Sequence, residues 1–272
     1  MKKHAAAAAL LLAFSLGGAT LPALADNTIT AAGSTALLPL VKEAADEYQR
    51  AHPDVKISVS GGGSGTGIAQ VAQKAVTIGD SDITAPTHPE LHDNRVAVIG
   101  FAVVVNPDIK LKGLSKKQLQ DIFTMKTTNW KEVGGPDQKI VVINRPRSSG
   151  TRAVFTKTVM NGTPVNESGL VEDATGTVVS TVKQTPGSIS YAAFSGTRNA
   201  GLNELQIDGV APTDQNVQSG KYPFWSYEHM FTYGAPAGDV QKFIAFISGH
   251  SDLLQKNGYI KIADMKVSET DR

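Results

Sequence analysis

Apolar positions change period repeatedly along this chain, and each change marks an element. Residues 27–31 read as a short strand. Leu37, Leu38, Val41, Ala45 and Tyr48 then recur at helical spacing. Pro39 falls in the first turn of that helix, where a proline is tolerated. Val55, Ile57 and Val59 alternate as a half-buried strand. Residues 61–67 form a glycine-rich loop, 68–75 a short helix and 76–79 the next strand. The nearly unbroken apolar run over residues 96–105 suits a strand covered on both faces.

A second set of elements follows Asn106-Pro107. Ser115 is placed to cap a helix running to Phe123. Residues 139–144 predict a strand, 151–160 and 177–183 two helices, and 189–192 another strand. Residues 224–233 are aromatic and extended, and Pro236 opens a last helix to Ile247. Strands alternating with helices predict an α/β protein with mainly parallel sheets. Two such sets suggest two lobes, residues 26–105 with 231–272 and residues 106–230. The chain would cross between them near Val105 and near Phe231. A cleft between lobes is a common ligand site; one larger sheet without a cleft is the alternative.

The N-terminus has a different logic. Lys2 and Lys3 precede an apolar run over residues 5–16, broken only by Ser15. Ala23-Leu24-Ala25 after Pro22 forms a small-residue cleavage site. The run is shorter than the roughly 20 residues of a spanning helix, so an export signal is expected, with Asp26 as the first mature residue. No cysteine follows that could carry a lipid.

Composition narrows the function classes. The 272 residues include no cysteine, which removes disulfide frameworks, thiolate metal sites and thiol nucleophiles. The formal net charge of +1 argues against a nucleic-acid partner. Losing Lys2 and Lys3 with the signal takes the 26 basic residues to 24 against 25 acidic ones, a net charge of −1.

The candidate chemistry lies in three loops, each between a strand and a helix: Gly33-Ser34-Thr35, Gly63-Ser64-Gly65-Thr66-Gly67 and Ser148-Ser149-Gly150-Thr151. Each offers hydroxyls, free backbone N–H groups and the positive end of a helix, the elements of an anion site. One such loop is an ordinary helix cap. Three at the carboxyl ends of strands point to a ligand. None carries a P-loop or dinucleotide motif, so an isolated oxyanion fits better than a nucleotide.

Arg145, four residues before Ser149, offers a planar fork suited to a tetrahedral oxyanion. Arg147 and Arg152 are expected at the surface. Asp82 is open to two readings: it caps the turn into Ala85-Pro86, or it accepts a proton from the ligand. Asp80 is an alternative for either role. An acceptor carboxylate would choose phosphate, which keeps a proton at neutral pH, over sulfate, which does not.

The segments AAGSTALLPLVKEAADEYQRAHPDVKISVSGGGSGTGIAQV, IGDSDITAP, LSKKQLQDIFTMKTTNWKEVGG, NRPRSSGTRAVF and DGVAPTDQNVQSGKYPF together resemble the periplasmic phosphate-binding proteins of phosphate-specific ABC importers. The resemblance runs over essentially the whole mature chain. It implies a two-lobed type II periplasmic binding protein fold with a two-crossing hinge, closing on one inorganic phosphate. It implies a phosphate site made by Ser34, Thr35, the backbone of Ala36, Ser64, Asp82, Arg145, Ser149, Gly150 and Thr151. Some relatives carry a bulky aromatic at the position of Ala36, so a contact there would come from the backbone N–H alone. It further implies a periplasmic location and delivery to membrane permease subunits. Nothing in the sequence argues for an oligomer, a metal or a cofactor, and a monomer is expected.

Three rival classes remain, one of them a surface signalling or adhesion protein that reuses the fold and binds no small anion. A secreted phosphatase would use Ser64 or Ser149, but the chain has no G-x-S-x-G elbow. His88 and His92 are four apart with Pro89 between them, a poor helical metal pair. The third rival is a binding protein for sulfate or molybdate, which Asp82 disfavours.

Overall fold

The computed structural model describes residues 28–268; the expected export signal lies outside the described residues. β1 (Thr28–Gly33) leads into α1 (Leu38–Ala51), β2 (Lys56–Ser60), α2 (Ser64–Ala72) and β3 (Ile78–Ser81). β1 pairs in parallel with β2 on one side and β3 on the other. Pro39 sits in the first turn of α1, as its fixed φ requires. Leu40, Val41, Ala44, Ala45 and Tyr48 form the buried face of that helix. β4 (Leu91–Val105) then runs 15 residues, with everything from Val96 onward buried.

The second set comprises β5 (Gly113–Leu114), α3 (Lys116–Phe123), β6 (Val141–Asn144), α4 (Gly150–Thr158), β7 (Leu170–Val171), α5 (Thr175–Gln184), β8 (Ser188–Ala193), α6 (Phe194–Thr197), β9 (Asn203–Ile207) and α7 (Asp214–Gln218). Ser115 caps α3 in a reciprocal capping box with Gln118. β6 pairs in parallel with β8 and β7. β10 (Trp225–Tyr233), α8 (Gly238–Gly249) and α9 (Ser251–Lys256) complete the chain.

The strands follow one path, β2-β1-β3-β10-β4-β8-β6-β7, with β9 beside β4 and β5. The sheet is mixed, which corrects the expectation of mainly parallel pairing. β10 is antiparallel to both β3 and β4, and β4 is antiparallel to β8 and β9. Side-chain periodicity reports which faces are buried and carries no information on strand direction.

β4 and β10 tie the two sets together. Along β4 the partner changes from β10, paired up to Gly100, to β8, paired from Phe101. A Cβ at Gly100 would lie 2.2 Å from the Phe194 ring, so only glycine fits where the partner changes. On the β8 side, Phe101, Phe123, Phe155, Tyr191 and Phe224 pack ring on ring, with Phe155 stacked on Tyr191 at 4.2 Å. On the β1 side, Tyr48 of α1 meets Phe243 and Phe246 of α8 edge-on. Each set thus carries its own share of the core.

Candidate functional site

The three loops meet. Gly33 ends β1 at φ +140°, and a Cβ there would lie 2.1 Å from the Asp80 carbonyl oxygen. The chain then turns tightly. The Ser34 Oγ accepts from the N–H groups of Ala36 and Leu37, both at 3.1 Å, and so caps the turn into α1. The same hydroxyl donates to Asp82 Oδ1.

The second loop is not a loop throughout: α2 begins at Ser64, earlier than the glycine content suggests. Gly67, in its first turns, packs so close to the sheet that a Cβ would lie 2.5 Å from the Ala32 carbonyl oxygen. Ser64 Oγ accepts from the Asp82 N–H at 2.9 Å. In the third loop Ser149 caps α4 by accepting from the Arg152 N–H at 3.2 Å. Thr151 donates its hydroxyl to Asp82 Oδ2 at 2.8 Å.

Asp82 is therefore held on one oxygen by Ser34, from the first set of elements, and on the other by Thr151, from the second. The turn after β3 is capped instead by Ser81, whose hydroxyl contacts the Ile83 N–H and carbonyl. That frees Asp82 to point into the site. Burial raises its pKa, while the Ser34 and Thr151 hydroxyls, the Arg145 charge and Ser64 work the other way.

Arg145 follows β6 and is 1 % exposed. Its Nε donates to the Glu172 carbonyl at 2.9 Å, and its Nη2 donates to the Asp173 carbonyl and to Thr35 Oγ1 at 3.0 and 3.1 Å. Its Nη1 has no hydrogen-bond partner among the described residues. The guanidinium is thus fixed by carbonyls on one side and left with a donor on the other. Burial lowers its pKa and Asp82 opposes that shift.

The ends of α2 and α4 face each other at close range. Gly65 donates its N–H to the Ser148 carbonyl at 2.9 Å. A Cβ at Gly150 would lie 2.1 Å from Ser64 Oγ, and one at Gly63 2.8 Å from the Ser148 carbonyl oxygen. Glycine at these positions lets two helix N-termini converge on one point with their N–H groups forward.

All nine expected residues are brought together and buried: Ser34, Thr35, Ala36, Ser64, Asp82, Arg145, Ser149, Gly150 and Thr151. Arg152 departs from the sequence reading. It is buried, not a surface residue; its Nη1 donates to the Arg145 carbonyl at 2.7 Å and its other arm pairs with Glu167. Arg147 is exposed and also pairs with Glu167. A fourth loop escaped the sequence reading altogether: Thr175, at the start of α5, donates its N–H to Thr35 Oγ1 at 3.2 Å. The run Ala174-Thr175-Gly176-Thr177 carried the same small-residue and hydroxyl signal as the other three. Ser226 of β10, also missed, donates to the Asp82 carbonyl at 2.6 Å. Among the described residues no His, Asp or Glu cluster could hold a metal ion, and His88 pairs with Glu90.

Comparison with known proteins gives the family. The model of the PBP superfamily domain matches residues 18–250. The phosphate-binding protein PstS of Bacillus subtilis is 43 % identical over 252 residues, spanning 90 % of this chain and 84 % of that protein. A solved structure of a putative phosphate ABC transporter substrate-binding protein from Clostridium perfringens, with bound phosphate, superposes at a TM-score of 0.81. It has 28 % identity and covers 86 % of this chain and 99 % of its own. An ABC-type phosphate transport receptor from Vibrio cholerae superposes at 0.71, also at 28 % identity, covering 85 % of this chain and 99 % of its own. The α/β architecture, with two sets of elements joined by β4 and β10, is the two-lobed type II periplasmic binding protein fold. The chain belongs to the PBP superfamily and, within it, to the family of the PstS phosphate-binding proteins.

Proposed function

We propose that this protein binds one inorganic phosphate between its lobes and delivers it to the membrane subunits of an ABC importer. The observation that carries the reading is the placement of Asp82 and Arg145 in one buried site, the first held by hydroxyls from both lobes and the second offering a free Nη1 donor. Arg145 supplies charge, the ends of α2 and α4 supply N–H groups, and Asp82 accepts the proton that phosphate carries at neutral pH. Sulfate has no such proton and would set two acceptors against each other. The named relatives support the choice of phosphate.

The lobes are read as two bodies that hinge where β4 changes partner at Gly100–Phe101 and where the chain returns at Phe224–Trp225. These positions lie a few residues before those read from the sequence. Ser34, Thr35, Ala36, Ser64 and Asp82 act from one lobe; Arg145, Ser149, Gly150 and Thr151 act from the other. The closed form is favoured by ligand because only that form assembles both sets. Micromolar affinity needs about 8 kcal/mol, and charge-assisted hydrogen bonds contribute about 1.5–3 kcal/mol each, so several of them offset dehydration and leave that much. The protein acts as a carrier, not an enzyme, in the periplasm after loss of residues 1–25, and as a monomer. Titration of protein stripped of carried-over phosphate tests this. Saturable one-to-one binding of phosphate with much weaker binding of sulfate is expected. Equal affinity for the two, or turnover of a chromogenic phosphate ester, would contradict it.

A further inference from the structure

Asp82 is one of three buried carboxyl groups in this region, and the proposed binding mechanism uses only that one. Asp80 and Glu228 are both fully buried, and all four of their carboxyl oxygens lack a hydrogen-bond partner among the described residues. The strand register explains why they gather. Antiparallel pairing of β3 with β10 sets Met230 opposite Asp80 and His229 opposite Ser81. Asp82 follows β3 directly, and the charges of Asp82 and Asp80 both bear on Glu228. Paired residues share a face, so Met230 lies on the face of Asp80, and alternation along β10 puts Glu228 on that face too.

Among the described residues no positive charge answers these two acids. On β10 and β4, His229 with Asp93, and Arg95 over the Tyr227 ring, belong to the opposite face. The buried faces of α1 and α8 are apolar apart from the Tyr48 hydroxyl. From the C-terminal segment comes the Tyr259 phenol, which donates to the Ala36 carbonyl. From the other lobe comes Arg145, whose charge bears on Asp82. A carboxylate buried without a cation or a donor is strongly disfavoured, and the group keeps its proton instead. Burial first, and then the neighbouring acids, push both Asp80 and Glu228 well above the usual carboxylate range.

We propose that Asp80 and Glu228 are a proton-holding pair beneath the ligand site that links phosphate binding to pH. With both protonated, the floor of the site carries a single negative charge, that of Asp82. When pH rises past their raised pKa values and the pair loses a proton, a second negative charge sits beside Asp82 and disfavours the anion. By linkage, a bound anion makes the pair hold its protons more tightly, so binding in that range takes up protons. Asp80 and Glu228 act through Asp82 as positioning residues and need not touch the ligand.

This inference rests on the phosphate-binding reading, and its test separates the two. Full-length mature protein, Asp80→Asn, Glu228→Gln and the double variant are titrated with inorganic phosphate from about pH 7 to about pH 10. The ionisation of phosphate itself is common to all four and cancels in the comparison. Near neutral pH the four affinities are expected to agree within about threefold. Towards the alkaline end the Kd of the unaltered protein rises by up to about tenfold per pH unit relative to the double variant, the slope of one linked proton. Superimposable profiles would overturn the inference. Should the variants not fold, calorimetry of the unaltered protein at about pH 9 in two buffers of different ionisation enthalpy decides it. Net proton uptake beyond that of free phosphate supports the inference and none overturns it. Failure of the unaltered protein to bind phosphate at any pH would remove the phosphate reading itself and this inference with it.

Discussion

Arg145 shows how one side chain gains its specificity from groups distant in sequence. Its Nε and Nη2 are consumed by the Glu172 and Asp173 carbonyls and by Thr35, so the orientation of Nη1 is set before any ligand arrives. Replacing it by alanine removes the positive charge that bears on Asp82 and takes a donor from those carbonyls. Arg145→Ala is expected to weaken phosphate binding by at least about tenfold, or 1.4 kcal/mol; calorimetry giving an unchanged Kd would mean that the charge comes from elsewhere. Arg152 supports this arrangement through the Arg145 carbonyl. Arg152→Ala should therefore weaken binding less than Arg145→Ala, and the reverse order would contradict the assignment of roles.

At the scale of elements, the site is made by helix ends that glycine allows to meet. Gly150 has no positive φ, so alanine there is compatible with the backbone. Its Cβ would collide with Ser64 and Asp82, which belong to the first set of elements and, on the proposed reading, to the other lobe. Gly150→Ala should thus leave the ligand-free melting temperature nearly unchanged and weaken phosphate binding by about tenfold or more, because it opposes closure and not folding. A large loss of ligand-free stability would show that the contact is part of a fixed core.

The same scale decides what could be read from the sequence. Three of the four site loops were legible because each follows a recognisable strand and repeats one local pattern of glycine and hydroxyl. The fourth, leading into α5, follows a strand of only two residues, Leu170–Val171, both exposed. No apolar alternation announces it. Arg152 looked like a surface residue because a hydrogen bond to a carbonyl seven residues back leaves no periodic signal. Asp80 and Glu228 sit in strands that bury polar side chains, against the pattern by which strands are found. The early start of α2 was hidden by Gly65 and Gly67, which favour loops unless close packing against the sheet demands them.

For the molecule as a whole, the buried acids impose a pH dependence on stability. Their native pKa values are raised, so above the ordinary carboxylate range the folded state binds more protons than the unfolded one. Stability then falls as pH rises, from the unfolded carboxylate pKa up to the raised native values. Glu228→Gln cannot ionise, so its melting temperature should exceed that of the unaltered protein at neutral pH and vary less between about pH 5 and about pH 8. Parallel curves for the two proteins would contradict an acid held neutral in the core. On the proposed reading, the net charge of −1 for residues 26–272 does not oppose an anionic ligand, because local donors and Arg145 would recognise it.

The proposed selectivity turns on Asp82 reading a proton, and the ratio of sulfate to phosphate Kd, measured by calorimetry on ligand-stripped protein before and after Asp82→Asn, tests it most directly. The asparagine has the same shape but adds donors and no longer repels an aprotic anion. The ratio is predicted to fall by at least about tenfold, mainly through loss of phosphate affinity and gain of sulfate affinity. An unchanged ratio would contradict the account.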